Sequence, residues 1–62
     1  MNILHIDDDT KVHKLMSYLL QRFGQQNEEA IEITMFIDPV QGLFETLNHG
    51  HKYDLILLDV NM

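Results

Sequence analysis

Ile3-Leu4-His5-Ile6-Asp7-Asp8-Asp9 is the stretch on which the fold turns, a short apolar run that stops abruptly at three carboxylates. The run is too short for a helix and rich in β-branched residues, so it reads as a buried strand. Just beyond the acids, Val12, Leu15, Met16, Leu19, Leu20 and Phe23 recur at offsets of 0, 3, 4, 7, 8 and 11, which is one face of an α-helix. Asp8 or Asp9 suits the N-cap of that helix, where a carboxylate meets unpaired amides and the positive end of the helix dipole. Gly24 is the expected stop.

A second acid-terminated run lies at the far end. Leu55-Ile56-Leu57-Leu58 is continuously apolar and closes on Asp59, a pattern that suits a central strand covered on both faces, as in a parallel sheet. Between the two runs, Gln25 to Glu29 is a polar connection and Ile31 to Ile37 reads as another strand. Asp38-Pro39 then opens a second helix, with Asp38 as N-cap and Pro39 at the first helical position. Val40, Leu43, Phe44 and Leu47 form its apolar face, and Asn48-His49-Gly50-His51 ends it. The order β-α-β-α-β implies an α/β fold with right-handed crossovers, a parallel sheet and one helix on each face.

Composition narrows the chemistry. The 62 residues make one domain at most, and a chain of that size buries only about 60% of the surface its unfolded form exposes. Ten acidic residues against four basic ones give a formal charge of −6. That balance argues against direct contact with nucleic acid or an anionic membrane and is compatible with cation binding. The chain has no cysteine, which excludes disulfides and thiolate metal sites and fits a reducing cytoplasm. It shows no signal-peptide pattern and no apolar segment near the roughly 20 residues that span a bilayer.

In an open α/β sheet, ligands sit outside the carboxyl ends of the strands. If the first and last strands are neighbours, Asp7, Asp8, Asp9 and Asp59 converge there. Several carboxylates at one point repel, and a divalent cation resolves the conflict. Oxygen donors without nearby His or Cys ligands suit Mg²⁺ or Mn²⁺. Mg²⁺ usually takes one or two carboxylates, which leaves another free to act as a nucleophile and form an aspartyl phosphate. Two nucleophiles remain open on these grounds. One is Asp59. The other is Asp7, with Asp9 two residues later, a spacing similar to that of haloacid dehalogenase-type phosphatases, which hydrolyse through an aspartyl phosphate.

The acidic turn in Ile3-Leu4-His5-Ile6-Asp7-Asp8-Asp9, together with Asp54-Leu55-Ile56-Leu57-Leu58-Asp59-Val60-Asn61-Met62, resembles the first and third strands of receiver domains of two-component response regulators. The spacing between the two motifs matches as well, and the likeness covers the whole chain. It implies a partial flavodoxin-like sheet in the order 2-1-3, with residues 1–62 as the N-terminal part of a receiver truncated after its third strand. It makes Asp59 the phosphoacceptor, Asp8 the direct metal ligand, Asp7 a ligand through water, and Asn61 the donor of a backbone carbonyl to the same ion. The implied function is that of a phosphorelay module rather than an enzyme, taking a phosphoryl group from a sensor histidine kinase or a phosphotransfer protein. The family's hydroxyl after the fourth strand and lysine after the fifth are absent, and Lys11, Lys14 and Lys52 do not align with that lysine. An inactive interaction fragment is therefore the further alternative. An apolar third strand at the edge of the sheet would pair with a second copy of the chain.

The remaining residues carry blander expectations. His49 and His51 read as a solvated loop, His13 as exposed on the polar side of its helix, and His5 as a satisfied, partly buried histidine. Met16, Met35, Phe23, Phe36 and Phe44 read as packing. Gly42 departs from the alanine frequent in receivers, at up to about 1 kcal/mol in an exposed helix interior.

Overall fold

A computed structural model describes residues 1–59. It contains β1 (Asn2–Ile6), α1 (Thr10–Gln26), β2 (Glu32–Phe36), α2 (Pro39–His49), a 3-10 turn (Gly50–Lys52) and β3 (Leu55–Leu58). Two parallel ladders put β1 in the middle, in the order β2-β1-β3. This is the α/β arrangement expected. Ile3 lies between Ile33 and Leu55, and His5 between Met35 and Leu57. At the start of β3, the Asp54 carboxylate accepts the Asn2 N–H at 2.8 Å. The Asp54 N–H in turn donates to the Asn2 carbonyl at 2.7 Å. This pair of bonds sets the register of the two acid-terminated strands.

Successive side chains of a strand point to opposite faces. The His5 ring meets His13 of α1 with centroids 4.3 Å apart. Its neighbour Ile6 lies beneath Gly42 of α2. The helices therefore cover opposite faces of β1, whose residues Ile3, Leu4, His5 and Ile6 are all buried. No helix among the described residues is long and apolar enough to cross a membrane.

α2 is turned away from its expected face, and α1 is turned partly away from its own. On α1 the buried residues are His13 and Gly24; of the expected face, Val12, Met16 and Leu20 are half-buried, and Leu15, Leu19 and Phe23 are exposed. One residue corresponds to about 100° of rotation, so the strip through His13, Ser17 and Gly24 lies beside the apolar strip, with Leu20 on the border of the two. On α2 the buried residue is Gly42, and Val40, Leu43, Phe44 and Leu47 are exposed. Met35 of β2 is also exposed, at 50%. Of the expected packing residues, Phe23, Phe44 and Met35 thus lie largely at the surface. On α2 close approach is the reason, because Gly42 lies directly against Ile6; α1 meets β1 through His13, and a sheet three strands wide leaves the bulky strips uncovered.

The glycines show this most directly. A Cβ on Gly42 would sit 2.7 Å from Ile6 Cγ2, so this glycine occupies a buried contact and not an exposed helix interior. A Cβ on Gly24 would sit 2.6 Å from the Glu29 carbonyl oxygen. Gly24 does not end α1, which continues to Gln26. The helix closes instead with Asn27 as C-cap and a bond from the Glu29 N–H to the Gly24 carbonyl at 2.7 Å, the longer bond of a Schellman closure. The left-handed position of that closure is held by Glu28, with φ 54°.

Candidate functional site

β1 and β3 run parallel and end side by side, and both ladders extend one residue into the acids. The Asp7 N–H donates to the Phe36 carbonyl, and the Asp59 N–H to the Ile6 carbonyl, each at 3.0 Å. Ligand oxygens of Asp7, Asp8 and Asp59 all lie within 4.8 Å of one another. Of the four acids expected to converge from the sequence, the fold brings these three to one point. Asn61, whose carbonyl the resemblance assigns to the same ion, lies outside the described residues.

Asp9 does not join the cluster. Its side chain accepts the Lys11 N–H at 2.9 Å and caps α1, which resolves the choice between Asp8 and Asp9 for that role. With Asp9 turned toward the helix, Asp8 is left exposed at the cluster. Asp7 is buried, 6% exposed, and its Oδ1 accepts the Asp9 N–H at 2.9 Å. A buried carboxylate and two more acids close by form an all-oxygen donor set suited to a hard divalent cation. Oxygens around an octahedral ion with bonds of about 2.0–2.1 Å stand roughly 3–4 Å apart, so the cluster fits such an ion with small side-chain adjustments.

The acids stand at the mouth of an open groove of about 660 Å³, lined by His5 and Leu57 of the sheet and by Val12 and Met16 of α1. Beneath them His5 Nε2 lies 3.8 Å from Asp7 Oδ2. Burial, and next the neighbouring His13, hold the His5 pKa below the usual histidine value, against the opposing pull of Asp7 and Asp59. His13 corrects the expectation of exposure: it is 4% exposed, and its Nε2 lies 2.6 Å from the Asp7 carbonyl oxygen. The helical offsets counted only apolar residues and so passed over it. The available signal was His5 itself, a polar ring on an otherwise aliphatic inner strand that needs a neighbour across the layer. At the other end of α2, His49 pairs with Glu45 at 2.8 Å, and Glu45 also accepts the Tyr53 hydroxyl. That surface network is separate from the acidic cluster. No protein-family model, no curated protein and no solved structure matches the chain, so the reading of the site rests on its own chemistry.

Proposed function

We propose that the chain is a phosphoacceptor of a phosphorelay, with Asp59 as the acceptor and Asp7 and Asp8 as the cation-binding acids. The observation that supports this reading is the convergence of their ligand oxygens within 4.8 Å at the carboxyl ends of two neighbouring parallel strands. In the reaction, an Asp59 carboxylate oxygen attacks the phosphorus of a phosphohistidine. An O–P bond forms as the N–P bond breaks, and the imidazole nitrogen leaves with the bonding pair. A bound Mg²⁺ or Mn²⁺ would neutralise charge on the transferring group. Asp7 and Asp8 hold the cation side of the site, and the β1–β3 ladder orients the acceptor.

The partner on this reading is a cytoplasmic sensor histidine kinase or phosphotransfer protein. The exposed bulky strips of both helices and the outer edge of β3 support contacts with other chains, a second copy through β3 among them. The hydrolase alternative, with Asp7 as nucleophile and Asp9 as the second Asp two residues later, is weakened because the Asp9 side chain is engaged at the cap of α1.

Incubation with acetyl phosphate, or with beryllofluoride, in the presence of Mg²⁺ tests the proposal, with the adduct located by mass spectrometry. Modification at Asp59 that disappears in Asp59→Asn is the expected result. Modification at Asp7 would establish the hydrolase instead. A folded protein that takes no adduct would leave only the interaction module.

A further inference from the structure

Two buried imidazoles stand directly behind the acidic cluster, and neither belongs to the donor set. His5 and His13 are each 4% exposed. Their rings meet at 4.3 Å with an interplanar angle of 62°. The Nδ1 atom of each is buried with no hydrogen-bond partner among the described residues. Buried polar atoms left unpaired are uncommon and call for a reason. An aliphatic residue would fill either position without stranding a nitrogen, so packing alone does not account for the pair.

The contacts of His13 supply a reason. A carbonyl oxygen only accepts, so the 2.6 Å contact with Asp7 puts the ring proton on Nε2. Asp7 is then held at three points. Its N–H donates to the Phe36 carbonyl at 3.0 Å, its carbonyl accepts from His13, and its Oδ1 accepts the Asp9 N–H at 2.9 Å. The first contact ties Asp7 to β2, the second to α1, and the third to the capping turn between. With both neighbouring peptide planes and one carboxylate oxygen anchored, the Asp7 carboxylate is fixed in orientation, its Oδ2 lying 3.8 Å from His5 Nε2. The His13 ring is seated in turn by His5, which projects from the strand that carries Asp7.

We propose that His13, backed by His5, is a positioning residue for the Asp7 carboxylate and so sets the affinity of the acidic site for a divalent cation. This role rests on the cation-binding reading of that site. His13 touches neither the cation nor the phosphoryl group and acts through the backbone of Asp7.

The test compares His13→Gln with His13→Asn in the full chain. Glutamine carries an N–H near the place of Nε2, whereas asparagine is too short to reach the Asp7 carbonyl. Mn²⁺ binding is followed by the paramagnetic resonance of the free ion, and hydrogen exchange is followed at the Asp9 amide. His13→Asn is expected to weaken Mn²⁺ binding by about tenfold, the usual scale for groups that orient a metal ligand, and to speed Asp9 exchange. His13→Gln is expected to stay close to the parent in both. Should asparagine unfold the chain, His13→Met fills the ring's place without a donor and gives the same comparison. A folded Asn or Met variant that binds Mn²⁺ like the parent overturns the proposal. If the parent itself binds no Mn²⁺, the cation-binding reading fails. Asp9 exchange then judges the positioning claim: protection lost in Asn or Met and kept in Gln sustains it, and equal protection throughout overturns it.

Discussion

β1 and β3 are close to the same sequence pattern in two different places. Each is a short apolar run that ends in an acid, and they lie side by side in register. Every residue from Ile3 to Ile6 is buried, whereas Leu55, Ile56 and Leu58 of β3 are exposed. The runs themselves do not explain the difference. β1 has a strand on each side and a helix on each face; β3 has one strand beside it and little above it. Apolar composition marks a segment as a strand, but the neighbours it acquires decide how much of it leaves water. The acids at the two ends inherit the contrast: Asp7 is held from several directions, and Asp59 enters the site from the outer strand.

The largest test of this contrast is truncation of one leucine in each strand. Leu4 is 0% exposed, so Leu4→Ala is expected to cost about 2–5 kcal/mol, enough to unfold a domain of this size. Leu58 is 55% exposed, and Leu58→Ala is expected to cost under about 1 kcal/mol because little burial is lost. Urea denaturation measures both, and equal costs would break the comparison.

Gly42→Ala probes the tightness of the cover over β1. The added methyl meets Ile6 at 2.7–2.8 Å, and overpacking of this kind is expected to cost about 1–3 kcal/mol. Ile6→Val in the same chain should recover part of the loss, and a double variant no better than the single one would locate the strain elsewhere.

β3 is tested from its open side. Ile56→Lys puts a charge on the outer strand, which suppresses edge pairing. The expected outcome is a loss of about 1–2 kcal/mol, since Ile56 is only 37% exposed and its burial is forfeited, with loss of any dimer seen by sedimentation velocity. A parent that stays monomeric at high concentration would remove the pairing proposal.

The finest test uses the one titrating group buried within β1. The pKa of His5 in the folded chain lies below its usual value of 6.5 because burial, then His13, disfavours the cation. The unfolded chain therefore binds the proton more readily. The stability linked to this group is fully present above about pH 6.5 and is lost as pH falls through the folded value. Urea midpoints should fall below pH 6.5, and His5→Leu should flatten that part of the profile. Leu57, its partner across the ladder, contributes no such slope.

Much of this was legible beforehand. The order of elements follows from hydrophobic period, and Asp38-Pro39 announces α2 because cap chemistry is local. The acids of the site were legible because both strands stop at them, and strand ends in a parallel sheet share one side. What the residues concealed was rotation. Leu15, Leu19 and Phe23 mark a helix, yet its buried strip passes through His13, which meets His5 of the sheet, and Gly24, which meets the chain leading into β2. Gly24 misled because glycine serves close approach as well as left-handed turns, and here it lets the Glu29 carbonyl and Ile31 pack against the helix.

The left-handed residue after α1 is instead Glu28, at φ 54°. An L side chain in that region costs roughly 1–2 kcal/mol that glycine avoids. The polar connection leading into β2 therefore holds a strained seam, kept shut by the bonds of Met1 to Glu29 and Ala30 and of Gln21 to Ile31. Glu28→Gly should relax that seam and raise the melting temperature by a few degrees, roughly as expected for 1 kcal/mol in a domain of this size.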